Sequence, residues 1–335
     1  LFQVIMNRRE LIKTGLWTMT AGAALMAAGC GSSNSQTLSG SGAGANKPKL
    51  KIGYLPITDH LTVIGLDQHQ FTHSQVEAVK FSNWAEIAEA IKAGAIQGAF
   101  LLTPIGLTLR QKGVPLKAVM LGHRNGSVLT VKKGDGAQKI EDLRGKTVAI
   151  PSRFSTHHIL IRKALADRGV AASEVKLLDM APPEMVNALA TGRIDAFIVA
   201  EPFGGQAELQ GHGQVLTLSK DLWPDHICCA LNIQESVLQQ HPEAVTELVG
   251  NLQKAGAFID ANPEEASKLS VKYLGQKKEV ITHVLTQPRG RVTFNQLAPA
   301  LSDFTATQDY MLQFGITTEK VDLAQYVDNQ FASAT

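Results

Sequence analysis

The sequence predicts an α/β protein of two similar lobes with a ligand cleft between them, and three observations carry that reading. From residue 50 onward, short β-rich runs alternate with amphipathic stretches, the pattern of mostly parallel sheets covered by helices. The passage Ala90 to Gly106 recurs without gaps at a constant offset of 98, as Ala188 to Gly204. A Gly/Ser-rich stretch separates this body from an apolar N-terminal segment, so the fold is sought after residue 49.

Residues 1–29 read as an export signal: Arg8 and Arg9, an apolar run from Leu11 to Ala28, then Cys30. The run is too short and too rich in small residues for a spanning helix. Leu25-Met26-Ala27-Ala28-Gly29-Cys30 resembles the lipobox of bacterial lipoproteins, which implies that Cys30 is a lipid anchor on the periplasmic or outer face of a cell membrane. Asn7-Arg8-Arg9-Glu10-Leu11-Ile12-Lys13 resembles a twin-arginine signal; that route and general secretion both stay open. Residues 30–49, dominated by Gly, Ser, Ala and Asn, bury nothing and read as a flexible leash.

The whole chain carries 32 basic and 30 acidic residues, and 29 of each once residues 1–29 are set aside. A neutral body without a basic stripe excludes nucleic acid as a partner. Roughly 285 residues follow the leash, enough for two lobes with real cores. Apart from Cys30, the cysteines are Cys228 and Cys229, so no disulfide framework staples the fold.

Strands are expected at residues 50–55, 76–81, 99–102, 116–121, 128–132, 147–150, 175–178, 196–200, 215–218 and 227–233. Between them, residues 84–93, 156–168 and 184–190 place apolar side chains at three- and four-residue spacing, as helices do. Each copy of the repeat encodes a helix, a Gly that closes it, a buried strand and a Pro that ends the strand. Thr103 and Glu201, just before those prolines, fall at the carboxyl ends of strands, where open α/β sheets bind ligands. From residue 235 the pattern is helical, punctuated by Pro242, Pro263, Pro288 and Pro299. The tail is expected to return to the first lobe, giving lobe 1 as 50–132 plus 227–335 and lobe 2 as 133–226. Hinge crossings are then expected near 131–134 and 223–229.

Several stretches together carry a family resemblance: Gly53-Tyr54-Leu55-Pro56-Ile57-Thr58-Asp59, Ser82-Asn83-Trp84, Asn125-Gly126-Ser127, Thr156-His157, Ala181-Pro182-Pro183-Glu184-Met185-Val186, Glu201-Pro202-Phe203 and Leu222-Trp223-Pro224-Asp225-His226. With them the chain resembles the solute-binding proteins of nitrate, sulfonate and bicarbonate ABC importers. The resemblance implies the type II periplasmic-binding-protein fold, a small polar solute of the oxyanion or sulfonate class, a permease partner, a monomer and no catalysis. It makes Trp84 and His157 pocket residues.

Other candidates follow from position. Thr156 opens a helix whose backbone N–H groups favour an oxyanion, with Ser155 or Thr156 as its N-cap. Arg153, in the preceding loop, offers a charge-assisted contact or is a solvated cation. Thr58 and Asp59 follow the first strand; Asp59 either binds ligand or caps a helix. Glu201 either meets ligand or bonds backbone amides. Ser127 and Cys229 stand where nitrate binders of the family carry a Gln and a Lys, leaving a roomier, less charged pocket without the fixed ammonium.

Cys228-Cys229 reads as two small apolar residues on a strand, at most one facing the cleft, or as a vicinal disulfide. A thiolate metal site would need further ligands from His226 or elsewhere, and neither metal nor cofactor is expected. Two other functions stay open. One is an enzyme like the thiamine-pyrimidine synthases, which share this fold, or a binder of a pyrimidine precursor. The other is a ligand sensor without transport.

Overall fold

The computed structural model of the chain describes residues 47–134 and 136–333; the expected export signal, Cys30 and most of the expected leash lie outside them. No helix among the described residues is long and apolar enough to cross a membrane. Twelve strands are present among the described residues: β1 (Lys49–Tyr54), β2 (Gln75–Lys80), β3 (Gly98–Leu102), β4 (Leu116–Leu121), β5 (Arg124–Asn125), β6 (Ser127–Lys132), β7 (Thr147–Ile150), β8 (Lys176–Asp179), β9 (Ala196–Ala200), β10 (Gly213–Leu218), β11 (Cys229–Gln234) and β12 (Val292–Thr293).

Two five-stranded sheets result, ordered β2-β1-β3-β11-β4 and β8-β7-β9-β6-β10. They share one plan. Three parallel strands, β2-β1-β3 or β8-β7-β9, are followed by one antiparallel strand that reaches the sheet directly from the other half of the chain. β6 therefore belongs to the second sheet, pairing Ser127 with Ala200 and Val131 with Ala196. This corrects the lobe boundary expected at 132: the chain leaves the first sheet after Leu121, before β6 rather than after it. A buried apolar run looks the same in either sheet, so its sequence could not say which one it joins.

The 98-residue repeat has an atomic basis. In the first copy the helix Trp84–Lys92 ends with Ala95 N–H donating to Ala90 O (2.9 Å) and Gly94 N–H to Ile91 O (3.1 Å); in the second, Pro182–Ala190 ends with Arg193 to Ala188 (2.9 Å) and Gly192 to Leu189 (3.1 Å). These are paired Schellman closures, which need a left-handed residue, and Gly94 and Gly192 supply φ of 74° and 72°. The last Gly of each copy lets a helix approach its sheet. A methyl on Gly106 would overlap the Tyr326 hydroxyl, and one on Gly204 would overlap Val128.

The C-terminal third is helical, with Pro242 and Pro263 opening the helices Pro242–Ala261 and Pro263–Leu274, where a missing N–H costs nothing. It returns to the first sheet: Asp328 N–H donates to Ala118 O (2.9 Å), and buried Tyr326 donates to Asn232 Oδ1 on β11. It also reaches the second half of the molecule, because buried Arg291 lies against Glu201 at the end of β9. Apolar packing is continuous between the halves: one cluster runs from Trp84, Ile87 and Leu101 through Cys228 and Cys229 to Phe197 and Met185.

The two kinds of repeat glycine separate by cost. Gly106→Ala is expected to lose about 1–3 kcal/mol through overpacking, and Gly94→Ala about 1 kcal/mol through its positive φ. Urea unfolding midpoints check this; unchanged midpoints in both variants would refute the paired geometry.

Candidate ligand site between the two sheets

The carboxyl ends of β1, β3 and β4 meet the amino end of β11 at one edge of the first sheet, since Cys229 pairs with Leu102 and Ala230 with Leu121. Open α/β sheets bind ligands at this edge. Polar side chains crowd it. Thr58, Asp59 and His60 open the 3-10 turn Thr58–Ile64 after β1, His123 follows β4, and Cys228 precedes β11; none has solvent exposure.

Asp59 Oδ2 lies 2.9 Å from His123 Nε2, with both side chains fully buried. The approach is an ion-pair contact rather than an aligned hydrogen bond, and all four of their polar atoms lack a hydrogen-bond partner within the protein. Burial pushes Asp59 up to about 7, against the pull of the neighbouring imidazolium. Burial alone would lower His123, but the charge of Asp59, with Cys228 adding to it, raises it to about 10.

The two thiols converge on this pair. Regular pairing of β11 begins at Cys229, so Cys228 lies just outside the alternation that would turn adjacent side chains to opposite faces. One donor atom from each of Asp59, His123, Cys228 and Cys229 lies within 4.8 Å of the others. The expectation that at most one cysteine faces the cleft is therefore corrected, and both thiols are free. Burial would raise the Cys228 thiol, but the hydrogen bond from Cys229 and the His157 and His123 imidazoles hold it well below the usual thiol range. Cys229, buried beside that thiolate, is pushed well above it.

The second half of the molecule covers the same spot. Ser155 caps the helix Thr156–Asp167 by accepting from His158 N–H (3.0 Å), which puts His157 in its first turn. His157 Nε2 lies 2.9 Å from Ser127 Oγ and 3.9 Å from Cys228 Sγ. His226 Nδ1–H donates to Trp223 O (2.8 Å), and burial lowers its pKa to about 4. His60 Nδ1 lies 2.9 Å from Leu55 N and 3.2 Å from Leu55 O. Three further buried nitrogens, His157 Nδ1, His226 Nε2 and His60 Nε2, have no partner in the protein.

Other expected site residues take different parts. Trp84 is buried, its ring edge-on to His60 at 5.7 Å, and it borders an outer crevice of about 440 Å³ lined also by Ile105, Thr108, Pro151, Phe154 and Met180. Its indole N–H has no partner within the protein, yet the ring is also core.

The threonines brace the chain. Thr58 donates to Glu201 O from its backbone (2.8 Å) and its hydroxyl (3.0 Å); Thr103 does the same to Cys228 O (2.8 and 3.1 Å), and Thr156 Oγ1 reaches that carbonyl at 3.4 Å. Glu201 faces Arg291, with Oε1 2.7 Å from Nε, and accepts from Gly205 N–H at 3.0 Å. Bonding to a backbone amide is thus present, joined by a buried ion pair. Arg153 is exposed and lies 3.6 Å from Asp179, with the loop turning it outward.

Sequence reading missed His123 and the inward turn of Cys228, and it raised His226 only as a further ligand for a thiolate metal site. Only His123 had a usable signal, its place two residues past the end of β4 and beside the Asn125-Gly126-Ser127 motif.

Two matched sheets with a buried polar floor between them define a binding protein of the two-lobed periplasmic type. The chain belongs to the NMT1-like family, whose model matches residues 43–274. Among curated relatives it is 29% identical over 262 residues to the nitrate import ATP-binding protein NrtC of Synechocystis, covering 70% of this chain and 39% of that one. It is 25% identical over 309 residues to the nitrate/nitrite binding protein NrtA of Nostoc, covering 79% and 69%. The chain thus spans well under half of the first of these relatives.

Among solved structures, a ligand-binding component of an ABC-type import system from Staphylococcus aureus, with zinc bound, aligns at TM-score 0.79 with 27% identity over 86% of this chain and 98% of that one. The alkanesulfonate-binding protein SsuA from Xanthomonas axonopodis shares the fold at TM-score 0.73 and 20% identity, covering 84% and 99%.

Arg291 pairs with Glu201, whose carbonyl Thr58 holds, and its loss should show. Arg291→Ala would leave Glu201 buried and unpaired and is expected to cost about 3–5 kcal/mol, with Arg291→Met/Glu201→Gln recovering part of it. Chemical denaturation checks this; an Arg291→Ala chain as stable as wild type would refute the pairing.

Proposed function

We propose that the chain is the non-enzymatic solute-capturing component of an ABC importer, closing its two halves over a small polar solute and presenting the closed form to a membrane permease. One observation carries the reading. Buried polar groups from both halves converge between the sheets, and Asp59, His123, His157, His60, His226 and Trp84 each keep at least one atom without a protein partner. Each such group costs roughly 1–3 kcal/mol when left unsatisfied, and protein interiors tolerate few of them. A ligand that supplies the missing partners accounts for their concentration at one place.

Closure needs hinges, and the two chain crossings supply candidates. Asn125 and Gly126 in the first have φ of 61° and 84°, and Asp225 in the second has 56°; hinge motion is absorbed by a few residues of this kind. On this reading the chain works as a monomer at the periplasmic or outer face of a cell membrane, held through Cys30.

The relatives' printed ligands, nitrate, alkanesulfonate and zinc, include both signs of charge. The solute of this chain is therefore set by its own floor. A carboxylate and two thiols in place of a fixed ammonium make that floor a poor receptor for the oxyanion or sulfonate that the resemblance implied.

A thermal-shift panel on the full chain tests the function: nitrate, nitrite, bicarbonate with and without calcium, taurine, alkanesulfonates, thiamine precursors and divalent metal ions. At least one is expected to raise the melting temperature, by the equivalent of about 2.7 kcal/mol at a hundred times its dissociation constant. His157→Gln, which removes the imidazole reaching in from the second half, is expected to weaken that binding while the ligand-free melt stays close to wild type. A cooperatively melting chain that responds to nothing in the panel would contradict the proposal.

A further inference from the structure

We infer that Asp59, His123, Cys228 and Cys229 form a site for a thiophilic divalent cation of the zinc class, and that this cation is the captured solute. The inference rests on the solute-binding reading above and specifies its ligand.

The donor set comes first. Two thiol sulfurs, one imidazole nitrogen and one carboxylate oxygen lie within 4.8 Å of one another, all fully buried. Sulfur and imidazole donors in a set of four select zinc among the common divalent ions, whereas magnesium and calcium take oxygen. Zinc bond lengths set ligand atoms roughly 3.5 Å apart in a formed tetrahedron, so small side-chain rotations complete the site. The carboxylate and imidazole have no aligned hydrogen-bond partner in the protein for a metal to displace.

The backbone around the donors is fixed. Thr103 N–H and Oγ1 hold Cys228 O, and Gly122 N–H holds Cys229 O at 2.9 Å. A side chain at Gly126 would crowd both oxygen and nitrogen donors, its Cβ falling 2.7 Å from Asp59 Oδ1 and 3.0 Å from His123 Nδ1. Such support is what keeps metal ligands oriented.

The placement also fits capture rather than permanent storage. All four donors sit at one edge of the first sheet, in three chain segments, so an open form can load the ion on one half. His157, from the helix that follows β7, then closes against Cys228 at 3.9 Å. Two thiolates and a carboxylate outweigh the charge of a dication, and four protein donors fill a tetrahedron. An anion bridged by the metal therefore has neither charge nor coordination position to occupy.

The test uses the full chain, reduced and stripped with a chelator, titrated with Zn²⁺ against a chromophoric competitor, with Co²⁺ as a spectroscopic probe. One zinc per chain is expected. Cobalt should give thiolate-to-metal charge-transfer bands and the intense visible bands of a tetrahedral site. Cys228→Ser and Cys229→Ser should each weaken zinc binding by at least about a hundredfold, at the upper end of losses seen even for supporting residues; Asp59→Asn and His123→Gln should weaken it about tenfold or more.

No zinc uptake against the competitor, uptake indifferent to both cysteine substitutions, or a weak octahedral cobalt spectrum would each overturn the assignment. The wild-type cobalt spectrum decides even where a variant fails to fold. If zinc fails while another solute of the panel stabilises the chain, the cation is wrong and solute capture stands; if both fail, both readings fall.

Discussion

A carboxylate and an imidazole 2.9 Å apart, with no exposed surface on either, is the constraint around which this molecule is arranged. Removing two ionisable groups from water costs several kcal/mol per ion even after relaxation, and their mutual attraction repays it only with good geometry and further hydrogen bonds. Asp59 and His123 have the proximity but lack the hydrogen bonds. Their neighbours add to the cost, because Cys228, Cys229, His157 and His226 are also buried there. A fold that keeps such a cluster away from solvent must hold it through the surrounding backbone.

The bracing is built from the repeat. At the end of β3 the Thr103 backbone and hydroxyl both grip Cys228 O, and after β1 the Thr58 backbone and hydroxyl both grip Glu201 O at the end of β9. Each grip ties a strand end to a chain segment entering from elsewhere in the sequence. Arg291 locks the second grip by meeting Glu201 and Glu208 at 2.7 and 3.1 Å. The helices, glycine closures and C-terminal return thus serve one end: two sheet edges held in register with their polar ends facing inward.

Much of this was legible in the sequence because it is local. The repeated Gly and Pro positions announced the strand–helix units, and Ser155 announced the helix that carries His157, since caps and turns depend on neighbours within a few residues. What stayed hidden is non-local. Arg291 finds Glu201 across 90 positions, and the cysteine pair gains its meaning from Asp59 and His123 on separate segments, with no ligand spacing to betray them. β6 changed sheets for the same reason, as the antiparallel strand swapped between halves carries no mark of its destination. Arg153 shows the converse limit, because a loop cation's direction is set by a turn whose geometry the residue types do not fix.

If the cluster is kept for a ligand, it is kept at the expense of stability, as functional sites often are. The direct measurement is urea unfolding of the ligand-free chain carrying Asp59→Leu/His123→Met, which replaces the buried pair with apolar groups of similar volume. The account predicts a gain of about 1–4 kcal/mol, together with loss of solute binding. A clear loss of stability in a chain that still folds would mean that the pair holds the fold together, and would contradict the claim that it is there for a ligand.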